Sequence, residues 1–355
     1  MRNYFMKIMA FYIGLYSMRK LIGLLVVGIV FSLVVQTPCY SADKVFKIEV
    51  LQVAKIGPYE DAYKGFVGEL AKGGLVEGKN LAIHRKIIDF DIEKGGLWKK
   101  IGVLMDIRNE ASRIAEAKPD LALTIGTVST KYGKDKIIAA GIPVVFTAVA
   151  IPEAAGCKSL TVAGPGFTGS TLYMDMNNVM KIIRLAFPNI KTMGMIHSDD
   201  ENAVAHKDQA VKDGPAAGFT VLTKEVSKSD PIVPAAKELL GKGVQAFIMP
   251  LDTYYGLRDF EPQEDLCKFA RENKIPAISL VHARQKGFIF YVGADFGVIG
   301  SYSAQQALKI FAGAKPDTLP VRKQDSLNIL VDLKVMKEQN IQLPIQLLQI
   351  AKSVE

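Results

Sequence analysis

The chain has 355 residues, 49% of them hydrophobic and 23% charged, with 30 Gly and 16 Pro. These proportions belong to a globular protein and exclude a collagenous, disordered or coiled-coil chain; the length predicts about two domains, each able to bury a core. The net charge of +8 falls to +4 once residues 1–41 are set aside, since they carry Arg2, Lys7, Arg19 and Lys20 and no acid, leaving 40 basic against 36 acidic residues. Acids and bases are interspersed without like-charge blocks, so no nucleic-acid partner is expected.

The first feature along the chain is an export signal. Residues 21–35 are 15 uncharged positions behind Arg19 and Lys20, followed by Pro38 and the small residues Cys39, Ser41 and Ala42. As a helix the run would span about 22 Å, short of the roughly 30 Å hydrocarbon core. It reads as a secretory signal peptide over 1–41, cut after Ser41 or Ala42, with an uncleaved membrane anchor as the alternative. The apolar stretch 5–16 makes the leader long, and a start at Met18 leaves one of 24 residues. The expected location is periplasmic or otherwise extracytoplasmic. Past the leader only Cys157 and Cys267 remain, 110 residues apart. Two cysteines cannot build a structural zinc site; they read as free, half-buried thiols, with a disulfide as the alternative.

Short apolar runs then alternate with amphipathic stretches. Residues 45–53 read as a strand and 61–72 as a helix with Ala62, Phe66, Val67 and Leu70 on one face. A strand at 81–88, a helix at 98–117, a strand at 120–125, a helix at 130–140 ended by Gly141, and a strand at 143–148 follow. The pattern restarts with helices at 173–186, 204–216, 232–240 and 263–272, each followed by a strand, at 192–196, 220–225, 246–249 and 277–279. A strand at 287–292, a helix at 299–312 and a tail with 326–331 and 332–340 remain over. The predicted fold is α/β, with two doubly wound parallel-sheet lobes and a ligand cleft at the carboxyl ends of their strands. The expected division puts 42–170 and about 287–318 in lobe 1, and 171–286 and about 319–355 in lobe 2, with more than one crossing between them.

Three motif matches fail on chemistry. Gly73 to Asn80 fits a phosphate loop as far as G-x-x-x-x-G-K, but Asn80 stands where a hydroxyl must hold magnesium. The segment also leaves a helix instead of opening one. Gly164 to Gly169 is a formal G-x-G-x-x-G, yet the nearest strand-end acid, Asp199, lies 30 residues past Gly169, where a ribose-binding acid is expected about 20 on. It reads as a turn where the chain leaves the first lobe. Asp199, Asp200 and Glu201 lack the alternation of a calcium loop and read as a solvated helix start. His84, His197, His206 and His282 show no i, i+4 spacing, and no G-x-S-x-G turn occurs. No catalytic residue, metal site or cofactor is expected.

A set of motifs spread over about 300 residues carries a resemblance. Gly65-Phe66, Leu70 and the run 74–81 come first, then Pro119-Asp120 with Leu121 to Thr127, then Ile142 to Val149 with Pro152 and Gly156. Further on come Pro165 to Gly169, Glu201-Asn202, Val292 to Asp295 followed by Gly300, and Ile341 with Leu343-Pro344. In this order they resemble the tryptophan/tyrosine-type ABC-transporter substrate-binding proteins, which have the type I periplasmic binding protein fold. Ile151 stands where that family usually has Asp, and Phe167 where it has a small or polar residue.

The resemblance implies a small ligand, such as an aromatic or branched amino acid, held between the lobes and delivered to a membrane ABC permease with its ATPase by a monomeric protein. Strand ends place the candidate contacts. Gly126 to Ser129 join a strand to a helix start, so backbone N–H groups and the hydroxyls of Thr127 and Ser129 could take a carboxylate. Thr147 and Ala148 end the next strand, and Tyr59 could stack on an aromatic ligand. The second lobe offers Asn202, Asp252 and Thr253, with Asp295 after a late strand; Asp252 and Asp295 are the candidates for a bound ammonium. The alternatives are a ligand sensor feeding a signalling receptor and an enzyme on the same scaffold.

Overall fold

Runs of Val, Ile, Leu and Phe form strands buried on both faces, which is the composition a parallel sheet between helical layers requires. The structure, a computed structural model, describes residues 44–88, 97–281 and 287–354; the expected leader and His282 lie outside the described residues. The chain begins with β1 (Phe46–Val53), α1 (Gly57–Lys72), β2 (Leu81–Ile88), α2 (Leu97–Ala117), β3 (Leu121–Ile125), α3 (Thr127–Ala139), β4 (Val144–Val149) and β5 (Phe167–Thr171). It continues with α4 (Met176–Ala186), β6 (Thr192–His197), α5 (Glu201–Asp213), β7 (Thr220–Glu225), α6 (Ile232–Gly241) and β8 (Ala246–Met249). Then come α7 (Glu261–Glu272), β9 (Ala277–Ser279), β10 (Phe290–Gly293), α8 (Phe296–Phe311), β11 (Arg322–Lys323), β12 (Asn328–Val331), α9 (Leu333–Glu338), α10 (Ile345–Leu348) and β13 (Lys352–Ser353).

The first sheet has the order β11-β5-β4-β3-β1-β2 and its pairs are parallel. The second, β13-β12-β10-β9-β8-β6-β7, is parallel apart from the antiparallel pair β10–β12. The two-lobed, doubly wound α/β expectation is what the structure has. Among the described residues no helix is long and apolar enough to cross a membrane.

Two details differ from the sequence reading. The strand at 287–292 was expected in lobe 1, but β10 pairs with β9 and β12 in the second sheet, while the helix after it packs on α1 of the first. Conversely β11, inside the 319–355 segment expected in lobe 2, pairs with β5 of the first sheet. The chain therefore crosses three times, after β5, after β10 and after β11. The second difference is β5 itself. Only Gly164 to Gly166 form a turn, with Gly166 at φ +77; Phe167 to Thr171 then run as a strand along β4. A Cβ on Gly169 would lie 2.2 Å from the Phe146 carbonyl oxygen, so the glycine serves strand approach, not a nucleotide.

The Gly73–Asn80 segment is the expected helix-to-strand turn. Asn80 closes it, its Oδ1 accepting from the Val76 N–H at 2.8 Å and its Nδ2 donating to the Gly74 carbonyl at 2.9 Å. Cys157 and Cys267 are both free, and buried instead of half-buried. Desolvation pushes each thiol up to about 12, so neither offers a reactive thiolate.

Helices α1 and α8 meet backbone to backbone. A Cβ on Gly65 would fall 2.0 Å from the Gly297 carbonyl oxygen, and one on Gly300 would fall 1.9 Å from that of Ala62. Gly68, one turn along α1, is exposed with nothing within 4 Å of its would-be Cβ. Gly65→Ala is expected to destabilise by about 1–3 kcal/mol through overpacking, and Gly68→Ala to stabilise by about 0.5–1 kcal/mol through helix propensity. Opposite shifts of the denaturant midpoint check both.

Candidate functional site

Both sheets direct their strand carboxyl ends toward one cavity, lined by residues of both lobes. From the first lobe, Pro58 and Tyr59 of the α1 start and Ala148 at the end of β4 form one wall. The second lobe supplies Asn202 of α5, the loop after β8 through Asp252 and Thr253, and Phe260 and Gln263 at the start of α7. Leu172 and Phe296, which flank two of the crossings, line it as well. Aromatic and aliphatic side chains dominate. Asp252 is the one carboxylate, and no Lys or Arg is present, among the described lining residues.

Local backbone explains several of these placements. Ala148 has φ +56 beside an irregularity in the β4–β5 pairing, so β4 turns out of its pleat at the cavity wall. Arg258, Asp259 and Phe260 are three successive left-handed residues, at φ +50, +55 and +70. This strained run ends at the ring of Phe260 in the cavity and at the start of α7. Non-glycine residues hold such conformations only where the surroundings over-determine them.

The second-lobe loops are tied by one carboxylate network. Asp252 accepts from the Ser198 N–H at 2.6 Å, the Ser198 hydroxyl at 2.8 Å and the Tyr254 N–H at 2.9 Å. Asp200 accepts from the Asn202 N–H at 2.9 Å, capping α5, and from the Thr253 hydroxyl at 2.8 Å. Burial raises the pKa of Asp252, with the Asp200 charge adding, against the lowering by its three hydrogen bonds. Tyr59 is raised by burial of its hydroxyl and then by the Asp200 charge across the cleft.

The structure brings five of the nine expected residues to the cavity wall: Tyr59, Ala148, Asn202, Asp252 and Thr253. The other four sit elsewhere. The Thr127 hydroxyl donates to Asn202 Oδ1 at 3.4 Å, joining the lobes beside the cavity. Ser129 accepts from the Val53 N–H at 3.1 Å and donates to the Ile125 carbonyl at 2.8 Å, a contact within lobe 1. Thr147 is fully buried with an unpartnered hydroxyl. Asp295 caps α8, accepting from the Gly297 and Val298 N–H groups at 2.9 and 3.2 Å, and is not among the residues that line the cavity. The α3 start, read as a carboxylate site, is covered: a Cβ on Gly126 would lie 2.5 Å from the Tyr59 hydroxyl. Sequence reading missed Phe260, Gln263, Tyr255 and Phe296. Only the Pro262 that follows Glu261 at the start of α7 marked that helix beginning.

Two doubly wound lobes around a largely apolar cavity, with three crossings between them, define a type I periplasmic binding protein-like fold. The family model for ABC transporter substrate binding proteins matches residues 47–355, and the chain belongs to that family. A tyrosine-binding protein of Clostridioides difficile (strain R20291) is 24% identical over 307 residues, 85% of this chain and 83% of that one. Among solved structures, an ABC domain from Streptococcus pneumonia in complex with L-Trp is 21% identical, with a TM-score of 0.71 over 88% of this chain and 100% of that one. A ligand-free, open substrate-binding protein with adhesive properties from Clostridium difficile is 24% identical, with a TM-score of 0.69 over 88% and 99% of the chains.

Beneath the cavity loop, the Leu251 N–H donates to His206 Nδ1 at 3.2 Å. That bond requires a neutral imidazole, and burial lowers the His206 pKa from 6.5 to about 4 despite the nearby Asp200. The unfolded chain therefore takes up this proton first. The His206 contribution should cost stability progressively as pH falls from about 6.5 to about 4, by about 3 kcal/mol in all. Denaturant midpoints across that window should fall less steeply in His206→Gln, which keeps an acceptor without a titrating proton.

Proposed function

We propose that this protein is the exported solute-binding component of an ABC importer, and that it holds an aromatic amino acid in the cavity between its lobes. The observation that carries this reading is the composition of the cavity. It has aromatic and aliphatic walls from both lobes, one buried carboxylate at Asp252, and few other polar groups. Tyr59 and Phe260 suit the faces of a planar ring. Asp252 has its negative charge partly neutralised by three donors and keeps acceptor capacity for an ammonium group, since a carboxylate offers about four lone-pair sites. The binding functions named for the C. difficile and S. pneumonia relatives, tyrosine and L-Trp, support the same ligand class.

On this reading the 1–41 leader directs export, the protein works as a monomer, and ligand-closed lobes dock on a membrane permease driven by its ATPase. No covalent step is involved. The raised pKa values of the cavity's Tyr59 and Tyr255 reflect burial and do not mark a nucleophile paired with a base.

Thermal unfolding of the purified protein against amino acids, nucleosides and small carboxylates tests the assignment. A ligand at 100 times its Kd adds about 2.7 kcal/mol, a shift of a few degrees. The expected result is a shift with aromatic amino acids and none with nucleosides or simple carboxylates. Absence of a shift with every amino acid overturns the ligand class.

A further inference from the structure

Gln263 stands apart from the other polar groups of the cavity. It is 1% exposed, lies in the first turn of α7, and lines the cavity with Phe260, Tyr255 and Met249. Its Nε2 has no hydrogen-bond partner. The comparison with Asp252 is instructive, because that carboxylate faces the same cavity and accepts three hydrogen bonds from its own lobe. Among the described residues nothing does the same for the Gln263 Nε2. A buried donor left unmade is costly, and sites that hold one open select a ligand that completes it.

We propose that Gln263 is a specificity-determining residue whose Nε2 donates a hydrogen bond to an oxygen carried on the ligand's aromatic ring, so that a phenol is the preferred ring. This rests on the aromatic amino-acid reading given above and narrows it. The unmade bond is a donor, so its partner must accept. A phenolic oxygen accepts; an indole N–H only donates, and an unsubstituted phenyl ring offers nothing. The apolar neighbours leave water as a poor substitute, since a buried water needs two or more polar partners. Tyrosine therefore completes the Nε2 bond, which phenylalanine leaves unmade and which an indole N–H could replace only by pairing with the amide oxygen instead. The ammonium end is assigned to Asp252, which the ring discrimination does not involve.

The test is calorimetric titration of L-tyrosine, L-phenylalanine and L-tryptophan into the unaltered protein and into Gln263→Leu, a variant of similar volume without polar atoms. The unaltered protein should bind tyrosine roughly 10- to 100-fold more tightly than phenylalanine. In Q263L tyrosine affinity should fall by a similar factor while phenylalanine is held or improves. Q263L should also unfold at a temperature no lower than the parent without ligand, because it removes an unsatisfied buried donor; this separates a specificity effect from a folding defect. Equal binding of tyrosine and phenylalanine by the unaltered protein, a tyrosine preference that survives in Q263L, or a Gln263-dependent preference for tryptophan each overturns the inference while leaving the aromatic reading intact. Failure of all three amino acids to bind the unaltered protein overturns the aromatic reading, and the inference with it.

Discussion

Three crossings of the chain between two parallel sheets are the constraint on which the rest of the molecule depends. They run from β5 to α4, from β10 to α8 and from β11 to β12, and they are packed together. The Asp295 N–H donates to Gln324 Oε1 at 2.9 Å, joining the second crossing to the third. Leu172, Ala294 and Phe296 line one small pocket, joining the first to the second. Because strand direction within each sheet is set by parallel pairing, this bundle of crossings fixes the carboxyl ends of both sheets around a common space. The glycine contacts of α1 with α8 then hold α8 on the first lobe immediately after the chain arrives from the second. The cavity is thus built with its base at the crossings and its walls on two separate sheets, the kind of arrangement from which a hinge motion about the connections can open or close a site.

The polar design of the cavity divides along the same lines. Ser198 and Asp200 belong to the loop between β6 and α5 and Asp252 to the loop after β8, and their hydrogen bonds hold the two loops in register without help from outside. Burial still outweighs those bonds in setting the Asp252 pKa, so the carboxylate retains a demand for a positive partner. His206 supports the same loops from beneath and can do so only while neutral. Positioning groups are satisfied internally, whereas the Nε2 of Gln263, a residue of the cavity lining, has no partner among the described residues.

Most of the fold was legible because period-2 and period-3.6 patterns are strong in central strands and amphipathic helices. What failed did so for specific reasons. Phe167 to Thr171 contains glycine and small hydroxyl residues, and the glycine motif ahead of it drew the reading toward a turn; the strand exists because β4 lends it pairing and the Phe146 carbonyl packs where a side chain would be. The sheet joined by β10 could not be read from its own residues, since its pairing is decided by where the chain crosses. In the site, strand-end reasoning reached Tyr59, Ala148, Asn202, Asp252 and Thr253, because a parallel sheet places strand ends on one side. It could not separate Ser129 and Asp295, whose polar atoms are used by nearby backbone, from residues that face the cavity. Gln263 gave no signal, because it lies within an ordinary amphipathic helix whose rotation is set by the left-handed run before it.

The direct polar contacts between the two walls are slight. Lys131 and Glu201 pair at 3.2 Å with the Glu201 side chain 61% exposed, and surface pairs of this kind contribute about 0–1 kcal/mol. The Thr127–Asn202 hydrogen bond is 3.4 Å long, near the outer limit of useful geometry. Neither is strong enough to hold the lobes together alone, and both lie beside the cavity, where they form only once the lobes are near each other. On the proposed reading, closure is decided by what occupies the space between Tyr59 and Ala148 on one side and Asp252, Phe260 and Gln263 on the other. A ligand shifts such an equilibrium only by its difference in affinity for the two arrangements. Groups bound wholly by one lobe therefore add affinity without driving closure, whereas a ring that packs against Tyr59 while its polar atoms reach the second lobe does both.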